Sequence, residues 1–62
     1  MNRKILASRE KDKETLIVLY ELPDNICTPY VTWVAHKDAP TETFWGHYHT
    51  NIIDAVHDFE KR

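Results

Sequence analysis

The stretch "TFWGHYHTNIIDAVHDF", residues 43–59, decides the fold because its hydrophobic period changes in the middle. Residues 43–49 alternate with the period of two that is typical of a β-strand. One predicted face carries Phe44, Gly46 and Tyr48, and the other carries Trp45, His47 and His49. From residue 52 onward the apolar residues follow helical spacing instead. The stretch therefore predicts a strand that leads directly into a helix.

The predicted helix has a clear start and one apolar stripe. Asn51 is suited to cap its N-terminus, and Asp54, three residues later, favours the positive end of the helix. The stripe has the spacing i, i+3, i+4, i+7 and consists of Ile52, Ala55, Val56 and Phe59. Three acidic or histidine residues and one lysine are expected to face away from it: Asp54, His57, Asp58 and Lys61. A helix of about eleven residues is not stable alone in water, so it must dock on the sheet.

Three earlier segments also have strand character. With 43–49 they give strands at 4–9, 15–22, 30–36 and 43–49, connected by polar or turn-forming segments at 10–14, 23–25 and 37–42. Short connections favour antiparallel pairing of neighbouring strands. The sequence predicts a single α+β domain over residues 1–62, an antiparallel β-meander of three to four strands with one C-terminal helix on one face.

The sheet is predicted to have more apolar surface than one helix can cover, and this leads to a hypothesis about function. The run "LIVLY", residues 16–20, predicts a central strand that is buried on both faces, yet one helix covers only one face. A chain of 62 residues buries only about 60% of the surface its unfolded form exposes, so further burial is favourable. We expect a homodimer or a protein partner at the uncovered sheet face. Its predicted contact residues are aromatic: Tyr30, Trp33, Trp45 and Tyr48. Strand register and the face covered by the helix are left open.

Composition narrows the alternatives. The single Cys27 cannot form an intramolecular disulfide, and there is no apolar run long enough for a signal peptide or a membrane span, which predicts a cytoplasmic protein. Neither Cys27 nor the helix residues Asp54, His57 and Asp58 form a convincing catalytic set, and a sheet with one short helix has little room for an enclosed pocket. We therefore expect a non-enzymatic interaction module with no cofactor.

Charge distribution leaves a second hypothesis open. Residues 1–13 carry five basic and two acidic side chains, whereas residues 14–62 carry three basic and eight acidic ones. A single-stranded nucleic acid could stack on the aromatic residues, with its phosphates held by the basic N-terminal hairpin. The basic residues of this alternative are Arg3, Lys4, Arg9 and Lys11.

A third hypothesis concerns metal binding. In a strand His47 and His49 point to the same side, about 7 Å apart, so both imidazoles could reach one metal ion. A working site needs a further ligand, for which the sequence offers His36, Asp54 or His57. The alternative is that the two histidines are simply polar residues on a partly exposed strand face.

The C-terminal half also carries a resemblance. The aromatic strand ending "WGHYH", the capping "TN" and the helix "IIDAVHDFEKR" resemble small uncharacterised proteins of Gram-positive bacteria and their mobile elements. In those chains a glycine-aromatic strand is often followed by a helix of the A-x-x-x-F-x-x-R kind, matched here by Ala55, Phe59 and Arg62. The resemblance covers about twenty residues and implies no activity or functional residue.

Overall fold

The computed structural model describes residues 3–62, with all their side chains except that of residue 41. It contains one four-stranded antiparallel sheet in the order β1-β2-β3-β4, followed by one helix, α1. The strands are Lys4–Glu10, Thr15–Glu21, Tyr30–His36 and Ala39–His49, and the helix is Ile52–Lys61. The prediction of an α+β meander with a C-terminal helix is confirmed.

Strand β4 begins earlier than its pattern indicates. The predicted loop 37–42 is wrong beyond Asp38, because Ala39 already pairs with His36 and only two residues connect β3 to β4. Pro40 makes this part of the strand look like a loop in the sequence, because proline is rare within strands. Since β4 is an edge strand of the sheet, the missing N–H of Pro40 is tolerated there.

Strand register defines two faces of the sheet. Directly paired residues share a face, and successive residues along a strand alternate between faces. The first, here called the helix face, carries Ile17, Leu19, Thr32, Val34 and His47. The second, here called the aromatic face, carries Val18, Tyr20, Val31, Trp33 and Tyr48. Helix α1 lies on the helix face, where its Asp58 contacts Thr32 and His47.

The helix docks with a different side than the apolar stripe predicts. Of that stripe only Ala55 is buried and Phe59 is half-buried, whereas Ile52 and Val56 are exposed. The prediction that Asp58 faces away from the sheet is wrong. Polar bonds from the sheet to Asp58 fix the rotation of the helix, and the small Ala55 lets the helix approach closely.

Side chains cap both ends of α1. Asn51 Oδ1 accepts a hydrogen bond from the Asp54 N–H at 2.9 Å, which confirms the predicted cap. At the other end Arg9 Nε donates to the Phe59 carbonyl at 2.9 Å, and its Nη2 donates to the Glu60 carbonyl at 3.4 Å. A cation at the C-terminal carbonyls also complements the helix dipole. The first strand therefore holds the end of the last element.

The aromatic face is sheltered without a helix. The sheet curls, and Val18, Tyr20 and Val31 form a buried cluster against which Trp33 packs. The Trp33 ring lies edge-to-face between Tyr20, at 5.4 Å, and Tyr48, at 6.1 Å. The expected bare face is therefore exposed mainly at its rim, where Ile5 and Tyr48 are 55% and 52% exposed.

A β-bulge in β4 changes which residues share a face. Val34 pairs with Phe44 but Thr32 pairs with His47, so Trp45 and Gly46 both stand opposite Trp33. One additional residue reverses the alternation of every side chain before it. The prediction that Phe44 shares a face with Tyr48 is therefore wrong, because Phe44 lies on the same face as His47.

Candidate functional site

A polar cluster joins the helix to the sheet, and the carboxylate of Asp58 is its centre. The Thr32 hydroxyl on β3 donates to Asp58 Oδ2 at 2.5 Å. On β4, His47 Nδ1 lies 3.0 Å and His49 Nε2 lies 3.3 Å from the same oxygen. The two histidines come together here because they are two residues apart on one strand face. The cluster connects three elements through a single side chain.

The surroundings of Asp58 favour its charged form. Burial acts to raise the pKa of this carboxyl, but the hydrogen bonds from Thr32, His47 and His49 outweigh it, so the pKa lies below its ordinary value of 3.8. Asp58 therefore stays ionised at neutral pH, and its negative charge is matched by the donors around it. The helix is held on the sheet by a charged group and not by apolar contacts alone.

Arg62, the C-cap residue of α1, extends the cluster to the bulge. Its Nη1 donates to the Thr32 carbonyl at 2.9 Å and to the Thr32 hydroxyl oxygen at 3.1 Å. Its Nη2 donates to the Trp45 carbonyl at 2.7 Å. One guanidinium thus ties β3 to β4 across the register shift, in the fixed fork geometry that arginine provides.

The geometry gives the histidine pair a structural partner. Asp58 is the third group beside His47 and His49, in place of the residues that the sequence offered as further ligands. Over residues 3–62 no group of three or more His, Cys, Asp or Glu side chains is arranged to hold a metal ion. Metal binding by the two histidines stays a prediction.

The polar cluster acts as a structural junction between the helix and the sheet. The Thr32 side chain is fully buried and its hydroxyl already donates to Asp58. The only thiol of the chain, Cys27, is exposed in the connection between β2 and β3. His47 is about half exposed and is oriented by the Asp58 carboxylate. The hydrogen bonds of the cluster fix the helix, the bulge and two strands relative to one another.

The four aromatic residues that were predicted to form the contact surface do not lie together. Trp33 and Tyr48 meet on the aromatic face. Tyr30 pairs with Glu21 and His49, three residues from Trp33 along β3, and so lies on the opposite side of the sheet. Trp45 stands in the bulge, with its ring edge-to-face on Phe44 at 5.0 Å.

Trp45 has a strained backbone and an exposed ring. Its φ of 54° lies in the left-handed region, which bulky side chains rarely adopt and which costs about 1–3 kcal/mol. Its side chain is 70% exposed. The neighbouring Gly46 has a separate task, because a Cβ atom there would lie 2.4 Å from Trp33 Nε1. The glycine permits the close approach of the Trp33 ring, and the tryptophan carries the strain.

The basic residues of the nucleic-acid hypothesis are spread over both sides of the sheet. Arg9 pairs with Ile17 on the helix face and caps α1. Arg3 lies over the rings of Tyr20, at 4.8 Å, and Trp33, at 5.2 Å, on the aromatic face. Lys4 and Lys11 are exposed. The structure does not gather the four side chains beside one platform.

Three residues of the cluster were not recognised as such from the sequence. Asp58 reads as a solvent-facing helix residue, Thr32 as an ordinary strand residue and Arg62 as a cation at the helix end. Their contacts join residues that are 26 and 30 positions apart. No local spacing signals such contacts, because they arise from how the helix is placed on the sheet.

Among residues 3–62 no helix is long and apolar enough to cross a membrane.

Comparison with known proteins assigns the chain to no family. No protein-family model, curated protein or solved structure matches the chain, so its function is argued from the geometry above.

Proposed function

We propose that this chain is a non-enzymatic protein-interaction module of the cytoplasm that acts as a homodimer through the aromatic face of its sheet. The observation that carries the proposal is the balance of apolar side chains. In the part of the chain that the structure describes, eight large apolar residues are exposed, and two of them, Ile5 and Tyr48, lie at the rim of the aromatic face. A chain of 62 residues gains stability from further burial, and association provides it.

The dimensions of the molecule support a contact of adequate size. The molecule measures 33 × 25 × 17 Å along its principal axes. A broad side of these dimensions is comparable with the roughly 800 Å² per partner that a standard interface buries. Tyr48 and Trp33 supply the aromatic groups in which interface centres are enriched.

A cation lies over the aromatic face. The five residues that define this face are uncharged, and Arg3 lies over the rings of Tyr20 and Trp33. The outer surface of α1 instead carries acidic side chains, because Asp54 and Glu60 flank its exposed isoleucines. The exposed free thiol of Cys27 is compatible with the reducing cytoplasm.

Sedimentation equilibrium of the pure chain tests this proposal. We expect a dimer at about 100 µM, with a dissociation constant that Ile5→Glu raises because it places a charge at the rim of the aromatic face. Ile53→Glu is the matched control, since Ile53 is 77% exposed on the outer side of α1. A monomeric wild type, or equal effects of the two substitutions, would contradict the proposal.

The nucleic-acid alternative has its own readout. The same preparation is mixed with short labelled single strands of DNA and RNA at low salt, and fluorescence anisotropy is followed. Binding that weakens as salt is added would favour that alternative, because release of counterions makes phosphate contacts salt-dependent.

A further inference from the structure

The outer surface of α1 presents apolar side chains to solvent. Ile53 is 77% exposed, and Ile52 and Val56 are each 38% exposed. These side chains border an open depression of about 520 Å³, whose lining residues all belong to this one helix: Ile52, Ile53, Asp54, Val56, His57 and Glu60. The depression therefore lies on the side of α1 that faces away from the sheet.

The polar cluster is the reason that this surface is apolar. Asp58 is turned to the sheet by its hydrogen bonds with Thr32 and His47, and these contacts fix the rotation of the helix. Ile52 and Val56 belong to the apolar stripe, yet in this rotation they are exposed. An exposed apolar patch with a polar rim is typical of a surface that binds a partner.

Two carboxylates give the outer surface of α1 its charge. Asp54 lies in the first turn of the helix, and Glu60 lies roughly 9 Å further along the axis at about 1.5 Å per residue. Both side chains are exposed. The helix also carries Asp58, which is turned to the sheet, and Lys61, which does not line the depression. The apolar side chains are therefore bordered by negative charge toward both ends of the helix.

We propose that the outer surface of α1 binds a cationic amphipathic helix of another protein. The apolar side chains of that helix cover Ile52, Ile53 and Val56, as in other complexes in which a helix lies in an apolar groove. Its lysine or arginine side chains, about two turns apart, pair with Asp54 and Glu60. An anionic membrane is disfavoured as the occupant, because its surface repels the same carboxylates. This inference goes beyond the proposed homodimer and does not depend on it.

A synthetic helix of leucine and lysine tests the proposal. The probe is a fluorescein-labelled peptide of about 18 residues, with lysines on both sides of a leucine stripe, and its counterpart has glutamate in place of every lysine. At low salt, fluorescence anisotropy should give a dissociation constant of about 100 µM or less for the lysine peptide. The glutamate peptide should bind at least about tenfold more weakly. Added salt should weaken binding of the lysine peptide, because exposed charges are screened.

Three variants locate the binding surface. Ile53→Gln should weaken binding of the lysine peptide about tenfold or more, because it removes the most exposed apolar side chain of this surface while glutamine preserves the helix. Ile26→Gln is the matched control, since Ile26 is 93% exposed in the connection between β2 and β3, and it should leave the affinity unchanged. Glu60→Gln should weaken binding and reduce its dependence on salt.

Three results of these measurements would overturn the inference: no binding of the lysine peptide at about 100 µM, equal affinities for the two peptides, or equal effects of Ile53→Gln and Ile26→Gln. If Ile53→Gln weakens self-association in sedimentation equilibrium, the surface belongs to a second copy of the chain. If the same variant loses binding to vesicles that contain phosphatidylserine, the surface belongs to a membrane. Either result also overturns the inference, whereas a monomeric wild type overturns the homodimer alone.

Discussion

The hydroxyl of Thr32 donates a hydrogen bond to the carboxylate of Asp58 at 2.5 Å, and this contact joins the middle of the sheet to the C-terminal helix. Thr32 is the only buried polar residue in the part of the chain that the structure describes. Its hydroxyl also accepts from Arg62. A fully buried hydroxyl with a charged partner on either side is well placed to hold the two elements in one arrangement.

Thr32→Val should therefore destabilise the fold although the two side chains have the same shape. The substitution removes the donor to Asp58 and the acceptor for Arg62, and hydrogen bonds to charged groups contribute about 1.5–3 kcal/mol. Thermal unfolding should show a fall in melting temperature of roughly 4–8 °C for each kcal/mol lost. Thr50→Val is the matched control because Thr50 is exposed, and its melting temperature should stay near that of the wild type. Equal melting temperatures for both variants would show that the Thr32 contact contributes nothing to stability.

Asp58→Asn should destabilise the protein in a manner that depends on pH. The folded-state pKa of Asp58 is lower than its ordinary value of 3.8, so the contribution of the carboxylate is fully present above that value. It is lost as the pH falls through the lower folded-state pKa. Urea unfolding between pH 7 and pH 2.5 should show the wild type and the variant converging at the acid end. Asp24→Asn, a matched change in an exposed turn, should leave the pH dependence of the wild type intact. A gap between wild type and Asp58→Asn that is independent of pH would contradict this assignment.

Gly46→Ala should disturb the packing of Trp33. The added Cβ would lie 2.4 Å from Trp33 Nε1 and 2.8 Å from its Cδ1, so the ring must move away from its place between Tyr20 and Tyr48. Overpacking of this kind costs about 1–3 kcal/mol. The near-ultraviolet circular dichroism of the aromatic residues should change together with the free energy of unfolding.

A double-mutant cycle identifies the cause of that loss. In a Trp33→Leu background the same Gly46→Ala substitution should cost less, because the clashing ring is absent. Equal costs in the two backgrounds would show that the glycine serves the backbone of the bulge and not the approach of the ring.

Local chemistry was sufficient to predict the elements. The period of two and the β-branched residues placed β2 and β3 nearly to the residue, and Asn51 marked the start of α1. These signals depend on a few neighbouring residues, so they survive in any tertiary context. The order of the strands followed from the short connections between them. At Pro40 the local signal failed, since only an edge position makes a proline acceptable within a strand.

The candidate site depends on relationships that no short stretch contains. One additional residue at Trp45 reverses the face of Phe44, and whether a strand bulges is decided by its pairing with β3. The rotation of α1 about its own axis could not be predicted from the sequence either. Its apolar stripe suggested docking through Ile52 and Val56, but the donors Thr32, His47 and His49 on the sheet select Asp58 instead.

The sequence by itself determined the class of this protein: an antiparallel meander of three to four strands, a capped C-terminal helix and an apolar centre, because hydrophobic period and capping are local properties. The tertiary structure alone decided which face the helix covers, that Asp58 and Arg62 fasten it, and that Trp45 is held in a strained pose in the bulge of β4. Those features arise from pairing between distant residues, where register and curl fix the direction of each side chain.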